Sequence, residues 1–317
     1  MAESRRGRPG VSRAGALGRA LTGGLIMATA LGVGNGLGPA IADAVGASGY
    51  GARLVPAALV TALALPLVAL VHGGRSWRRL GFGGPGASAG AFLAGVGMTA
   101  AAAALVLGAA TAGGLLRWSD PDPGTLAGFL VSNAVVAILL EALPEETTLR
   151  GYTWTSLRGR FGGTVTALAT TAVFLLVPGA STVVAAAAAR LAGRDPEPMG
   201  VAPDGQNPVD YLILIVVFGL TLVAARTALA RAPLWTSIGV HLTFLTVNRI
   251  ALEGGKRHAG WYVEHGKGAA GLLVPVYLLV VAVGFALWGR GVRRRRRREG
   301  PAHTASARGS WEVGAVR

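Results

Sequence analysis

The stretch LAGFLVSNAVVAILLEALPEETTLRG, residues 126–151, decides the fold. It opens as an apolar run, about Leu126–Leu143, close to the roughly 20 residues that cross a bilayer as a helix. It ends in Glu145, Glu146 and Arg150. A carboxylate at the centre of a spanning helix costs roughly 2.5–3.5 kcal/mol, and less towards its end. Two adjacent ones at such a boundary imply a use.

The rest of the chain has the same character. Of 317 residues, 52% are hydrophobic and only 14% charged, and the mean hydropathy is +0.51; soluble domains are nearer a quarter charged. The formal charge of +15 would suggest nucleic acid in a soluble protein. Here the arginines fall between apolar runs and at both ends, the bias of cytoplasmic loops, and no nucleic-acid partner is expected. The absence of cysteine excludes disulfides, a thiol nucleophile and Cys-ligated zinc. Arg5-Arg6 and Ala40-Ile41-Ala42 imitate an export signal, but the apolar run between them has spanning length, so no cleavage is expected.

Taken in order, the sequence predicts an all-α, polytopic transmembrane helix bundle of about eight spans with both termini cytoplasmic, in a cell membrane. Residues 1–19 read as a basic, disordered N-terminus. Residues 20–125 hold three spans, about 21–41, 54–71 and one within 87–116. In the first, Gly32, Gly34, Gly36 and Gly38 form two small-xxx-small pairs suited to close helix packing. Residues 126–250 form the core, with spans near 126–143, 165–191, 211–229 and 234–252; Pro178-Gly179 predicts a kink in the second of these. Residues 251–289 supply an outside loop and the last span. An Arg-rich cytoplasmic tail, 290–317, follows, and its Arg293–Arg298 block is suited to anionic lipid. This count puts the clusters at 75–79, 150–160 and 226–231 on one side and the acidic loops on the other.

Few polar groups interrupt the spans. On a helix Glu146 and Arg150 are four apart and can pair, which leaves Glu145 turned about 100° away, free to face a cavity as a general base does. A membrane-edge salt bridge with no catalytic role is the competing reading. His241 is the second candidate, since an ionisable group inside a span is a functional hypothesis by default. Asn133 suits an interhelical hydrogen bond, and His72, His258 and His265 suit exposed or interfacial positions.

Glu145-Glu146-x-x-x-Arg150-Gly151-Tyr152, then Phe174, then His241, resemble the CAAX protease and bacteriocin-processing (CPBP, Abi/CAAX prenyl protease 2-like) family of intramembrane peptidases, over roughly residues 126–250. The family pattern continues Phe-x-x-x-His and His-x-x-x-Asn; here Pro178 and Leu245 stand at the expected His and Asn, and Asn248 is the nearest asparagine. The resemblance implies a peptidase in which Glu145 activates water, Glu146 with Arg150 holds the geometry and His241 polarises, acting on a membrane-associated peptide or protein from the cytoplasmic side. It allows a divalent metal such as zinc, with Glu145 and His241 as ligands, or a metal-free mechanism. Catalytic zinc usually has three protein ligands, and the spans offer only Glu145, Glu146 and His241. Pro178 and Leu245 imply a weakened site or a pseudo-peptidase that binds without cutting. A proton-coupled transporter using Glu145 and His241 is the alternative outside the family.

Overall fold

A computed structural model describes residues 12–202 and 206–299. Eight long helices make up almost all of it: α1 (Arg13–Ala44), α2 (Tyr50–His72), α3 (Pro85–Ala112), α4 (Pro123–Arg158), α5 (Gly163–Leu191), α6 (Pro208–Ala228), α7 (Pro233–Ala251) and α8 (Lys267–Glu299). Among the described residues, seven are long and apolar enough to cross a membrane. The remaining one, α7, carries Thr236, Ser237, His241, Asn248 and Arg249. It is too polar for lipid and sits inside, with Ser237, Ile238, Val240 and His241 all buried. The one long helix without a spanning-type apolar stretch is thus an enclosed one, and it brings His241 to the site.

Two expectations need correcting. The first helix starts at Arg13, not near Ala20, because Ser12 caps it by accepting a hydrogen bond from the Gly15 amide at 3.0 Å; residues 1–11 lie outside the described residues. At the other end the helix runs through the arginine block to Glu299, so only 300–317 of the expected tail remain, also outside the described residues.

Hydrogen bonds between connections sort the bundle into two ends. At the arginine end, the Leu234 amide donates to Gly81 O (3.1 Å) and Thr155 Oγ1 to Arg79 O (3.3 Å). At the opposite end, β1 (Arg117–Trp118) pairs antiparallel with β2 (Val263–His265), and Arg194 meets Asp43 at 2.6 Å. There Asp122 caps α4: the Thr125 hydroxyl (2.6 Å) and the amides of Thr125 and Gly124 donate to its carboxylate and hold it below the usual carboxyl range.

Gly32, Gly34, Gly36 and Gly38 of α1 divide between two neighbours. A methyl group on Gly36 would lie 2.5 Å from the Ala185 carbonyl oxygen, and Gly32 faces Ser181 and Val184, so this pair admits α5. Gly34 and Gly38 face Val60 and Pro56 of α2. The two small-xxx-small pairs each seat one helix.

Candidate active site

The site is built on a widened segment of α4. Pro144 lacks an amide hydrogen, and its ring disfavours a regular helix behind it. The chain answers with a π-helical turn over Ile138–Ala142, in which the Leu143 amide donates to Ile138 O. In that i→i+5 register the partner of the Leu139 carbonyl would be the nitrogen of Pro144, which has no hydrogen to give. Thr61 Oγ1, from α2, donates to Leu139 O instead. A second π-helical segment covers Glu146–Thr153. Each inserted residue turns the following side chains by about 100° relative to an α-helix. Within the second segment all eight residues from Glu146 to Thr153 are buried.

Glu146 is fully buried, and its Oε1 takes two partners: Arg150 Nη1 at 3.3 Å and His241 Nδ1 at 3.0 Å. The Arg150 guanidinium also lies 4.3 Å above the Phe174 ring, so α4, α5 and α7 are tied at one point. Removing one member of such a buried pair strands the other, at about 3–5 kcal/mol. With Nδ1 facing a carboxylate, the neutral imidazole carries its proton there and leaves Nε2 as the acceptor. Phe218 meets the His241 ring edge-on, centroids 4.9 Å apart, and fixes its plane.

Glu145 does not join this knot. It lines a cavity of about 490 Å³ together with Phe174, Pro178, His241, Leu245 and Asn248. The helical positions where the resemblance expects His and Asn therefore do face the space that holds Glu145, occupied by Pro178 and Leu245. Asn248 accepts from Tyr277 Oη at 3.0 Å. The four candidates come together as a buried Glu146–Arg150–His241 triad beside Glu145.

The cavity lining extends to Glu197, Val201, Glu253 and Arg257, at the end opposite the arginine loops. The sequence expectation was an approach from the arginine side, and the lining reaches the other end. The expectation ended the fourth span at Leu143, whereas α4 continues to Arg158 before it reaches the arginine end. The polar stretch after Leu143 is enclosed by protein instead of water.

Sequence reasoning passed over Glu141 and Arg249. They form an ion pair with side chains 21% and 13% exposed, and Arg249 Nη1 donates to Asn133 Oδ1 at 3.0 Å while Asn133 Nδ2 donates to Thr246 Oγ1 at 3.0 Å. An ionisable residue inside each of two spans was the available signal. His258 and His265 are exposed.

A catalytic zinc does not fit these residues. Among the described residues no three His, Asp or Glu side chains converge as a metal-binding group, and Glu146 Oε1 is committed to Arg150 and His241.

Residues 127–247 match the family described as type II CAAX prenyl endopeptidase Rce1-like, in agreement with the resemblance carried by Glu145, Glu146 and Arg150. The match supports an intramembrane peptidase at the level of the family, and with the seven apolar helices it indicates a multi-pass membrane protein. Searches of curated proteins and of solved structures return no match.

Proposed function

With the Rce1-like match over residues 127–247 as premise, we propose that this chain is a glutamate-dependent intramembrane peptidase of a cell membrane, hydrolysing a membrane-associated peptide or protein. One observation carries the reading: Glu145 lines an open cavity beside His241 while Glu146 is consumed in fixing Arg150 and His241. Adjacent carboxylates in different surroundings divide the labour of a site.

In the mechanism, Glu145 accepts a proton from a water as that water attacks the scissile carbonyl, then returns it to the departing amine. His241, oriented by Glu146 and Phe218, aligns the water through Nε2 or, protonated, supports the oxyanion. Glu146 and Arg150 are positioning residues. The substrate reaches Glu145 from the end opposite the arginine loops, which the charge bias makes the outer face.

Pro178 and Leu245 in the cavity wall favour a second reading, a pseudo-peptidase that keeps the cavity and binds without cutting. One assay separates the two. Purified protein in detergent is offered a mixed peptide library, and products are read by mass spectrometry. Cleavage by the wild type that Glu145→Ala abolishes, with the variant still folded, supports the peptidase. Equal cleavage by Glu145→Ala removes Glu145 from the mechanism, and no cleavage by either favours the pseudo-peptidase.

A further inference from the structure

A separate cavity of about 250 Å³ lies at the arginine end of the bundle. Its walls are Arg19 of α1, His72 at the end of α2, Arg75 and Arg79 in the connection that follows, and Tyr152 and Ser156 of α4. Leu80 and Thr155 complete the lining, and no carboxylate belongs to it. The Arg19 and Arg79 guanidinium groups make no hydrogen bond or ion pair among the described residues. Arg75 makes one hydrogen bond, from Nη1 to His72 O at 3.2 Å. A fourth cation stands behind Thr155: Arg226 of α6 is 7% exposed, its Nη2 donates to Thr155 Oγ1 at 3.5 Å, and its Nε and Nη1 have no partner among the described residues.

Arginines at the ends of spans are ordinarily solvated and need no ligand. Two observations set this group apart. Tyr152 is 4% exposed and its ring packs with Ile26, Val68 and Leu80, yet its hydroxyl has no hydrogen-bond partner among the described residues. A buried phenol usually finds one, and the space that Tyr152 lines is the one the arginines wall. The convergence is also selective, since Arg78, beside Arg79 in the same turn, is not part of the lining.

The donor set fits a tetrahedral anion. Each guanidinium can take two oxygens in parallel hydrogen bonds, and hydroxyl donors from another side suit a group that carries a third and a fourth oxygen. The walls come from the start of α1 and the ends of α2 and α4, the level at which a spanning bundle meets lipid headgroups.

We propose that this cavity binds a phosphate group, held by Arg19, Arg75 and Arg79 and by the Tyr152 hydroxyl, a site separate in sequence from the Arg293–Arg298 block. Occupied, it ties α1 and the α2–α3 connection to α4 just beyond Arg150, and so stiffens the π-helical segment on which Glu146 and Arg150 stand. The phosphate belongs to a lipid headgroup or to a soluble phosphate. The peptidase reading is not needed for this.

The test melts the full chain in a neutral detergent under two paired conditions: inorganic phosphate against chloride at equal ionic strength, and phosphatidic acid against phosphatidylcholine in the micelle. The melting temperature rises by about 3 °C or more in one pair or in both. A rise in the first pair alone identifies a soluble anion, and in the second alone a lipid headgroup. Tyr152→Phe keeps the packed ring and removes only the hydroxyl, and cuts the rise by about half or more; Arg79→Gln removes most of it and Arg79→Lys keeps part. Arg78→Gln, the same change of charge outside the lining, leaves the rise intact. Tyr152→Phe keeps the test decisive should Arg79→Gln fail to fold. No rise in either pair, a rise that Tyr152→Phe or folded Arg79→Gln leaves unchanged, or one that Arg78→Gln reduces as far as Arg79→Gln does overturns the proposal.

Discussion

At the scale of single residues, the site is a contest between what holds it together and what it lacks. The Glu146 carboxylate is shared by Arg150 and His241, whereas the cavity wall presents Pro178 and Leu245 at the positions where the pattern of the resembled family has His and Asn. Removing one oxyanion donor from a peptidase costs roughly 10²–10³ in rate, so restoring two should be visible. The double variant Pro178→His with Leu245→Asn is expected to raise turnover at least about tenfold over the wild type in the same peptide assay; no gain in a folded double variant would show that these positions do not limit the reaction. The sequence made Glu145, Glu146, Arg150 and His241 legible because each is a polar residue in an apolar run. It carried no signal for the 3.0 Å contact between Glu146 and His241, 95 positions apart. Arg249 stood next to Asn248 and was overlooked, although its charge inside a span was the stronger cue.

At the scale of elements, the helix ends followed hydropathy wherever water or lipid sets the boundary, as in α2, α5 and α6, and failed where protein does. The sequence ends the fourth span at Leu143 because acids and arginines favour water; here Arg150, His241 and the packing of α1 enclose the stretch from Glu145 to Thr153. The π-helical turn was also hidden, since Pro144 predicts a disruption but not which form it takes. Thr61 is the cross-helix answer to that disruption. Thr61→Val should leave the Leu139 carbonyl short of a donor and cost about 1–3 kcal/mol, seen as a lower melting temperature in detergent, while Thr61→Ser should keep most of the stability. Equal melting of Thr61→Val and wild type would mean that the π-helical turn satisfies itself.

At the scale of the whole molecule, both the start of α1 and the end of α8 lie at the arginine end, and the cavity opens at the other. The proposed orientation, with the arginine loops cytoplasmic, puts that end of the cavity on the outer side. The chain has no cysteine, so a single introduced thiol reports the orientation cleanly. In intact cells a membrane-impermeant maleimide should label Asp120→Cys and spare Ser76→Cys until the membrane is opened; the reverse pattern would invert the topology and put the cavity on the cytoplasmic face.

The claim at the centre is that Glu145 activates a water to cut a peptide bond. It is tested most directly by cleavage of a membrane-reconstituted peptide in water enriched in oxygen-18. The wild type should yield a new C-terminal carboxylate carrying one heavy oxygen, and Glu145→Gln should yield none while retaining its fold and its peptide binding. Heavy-oxygen product formed equally by wild type and Glu145→Gln would contradict the account.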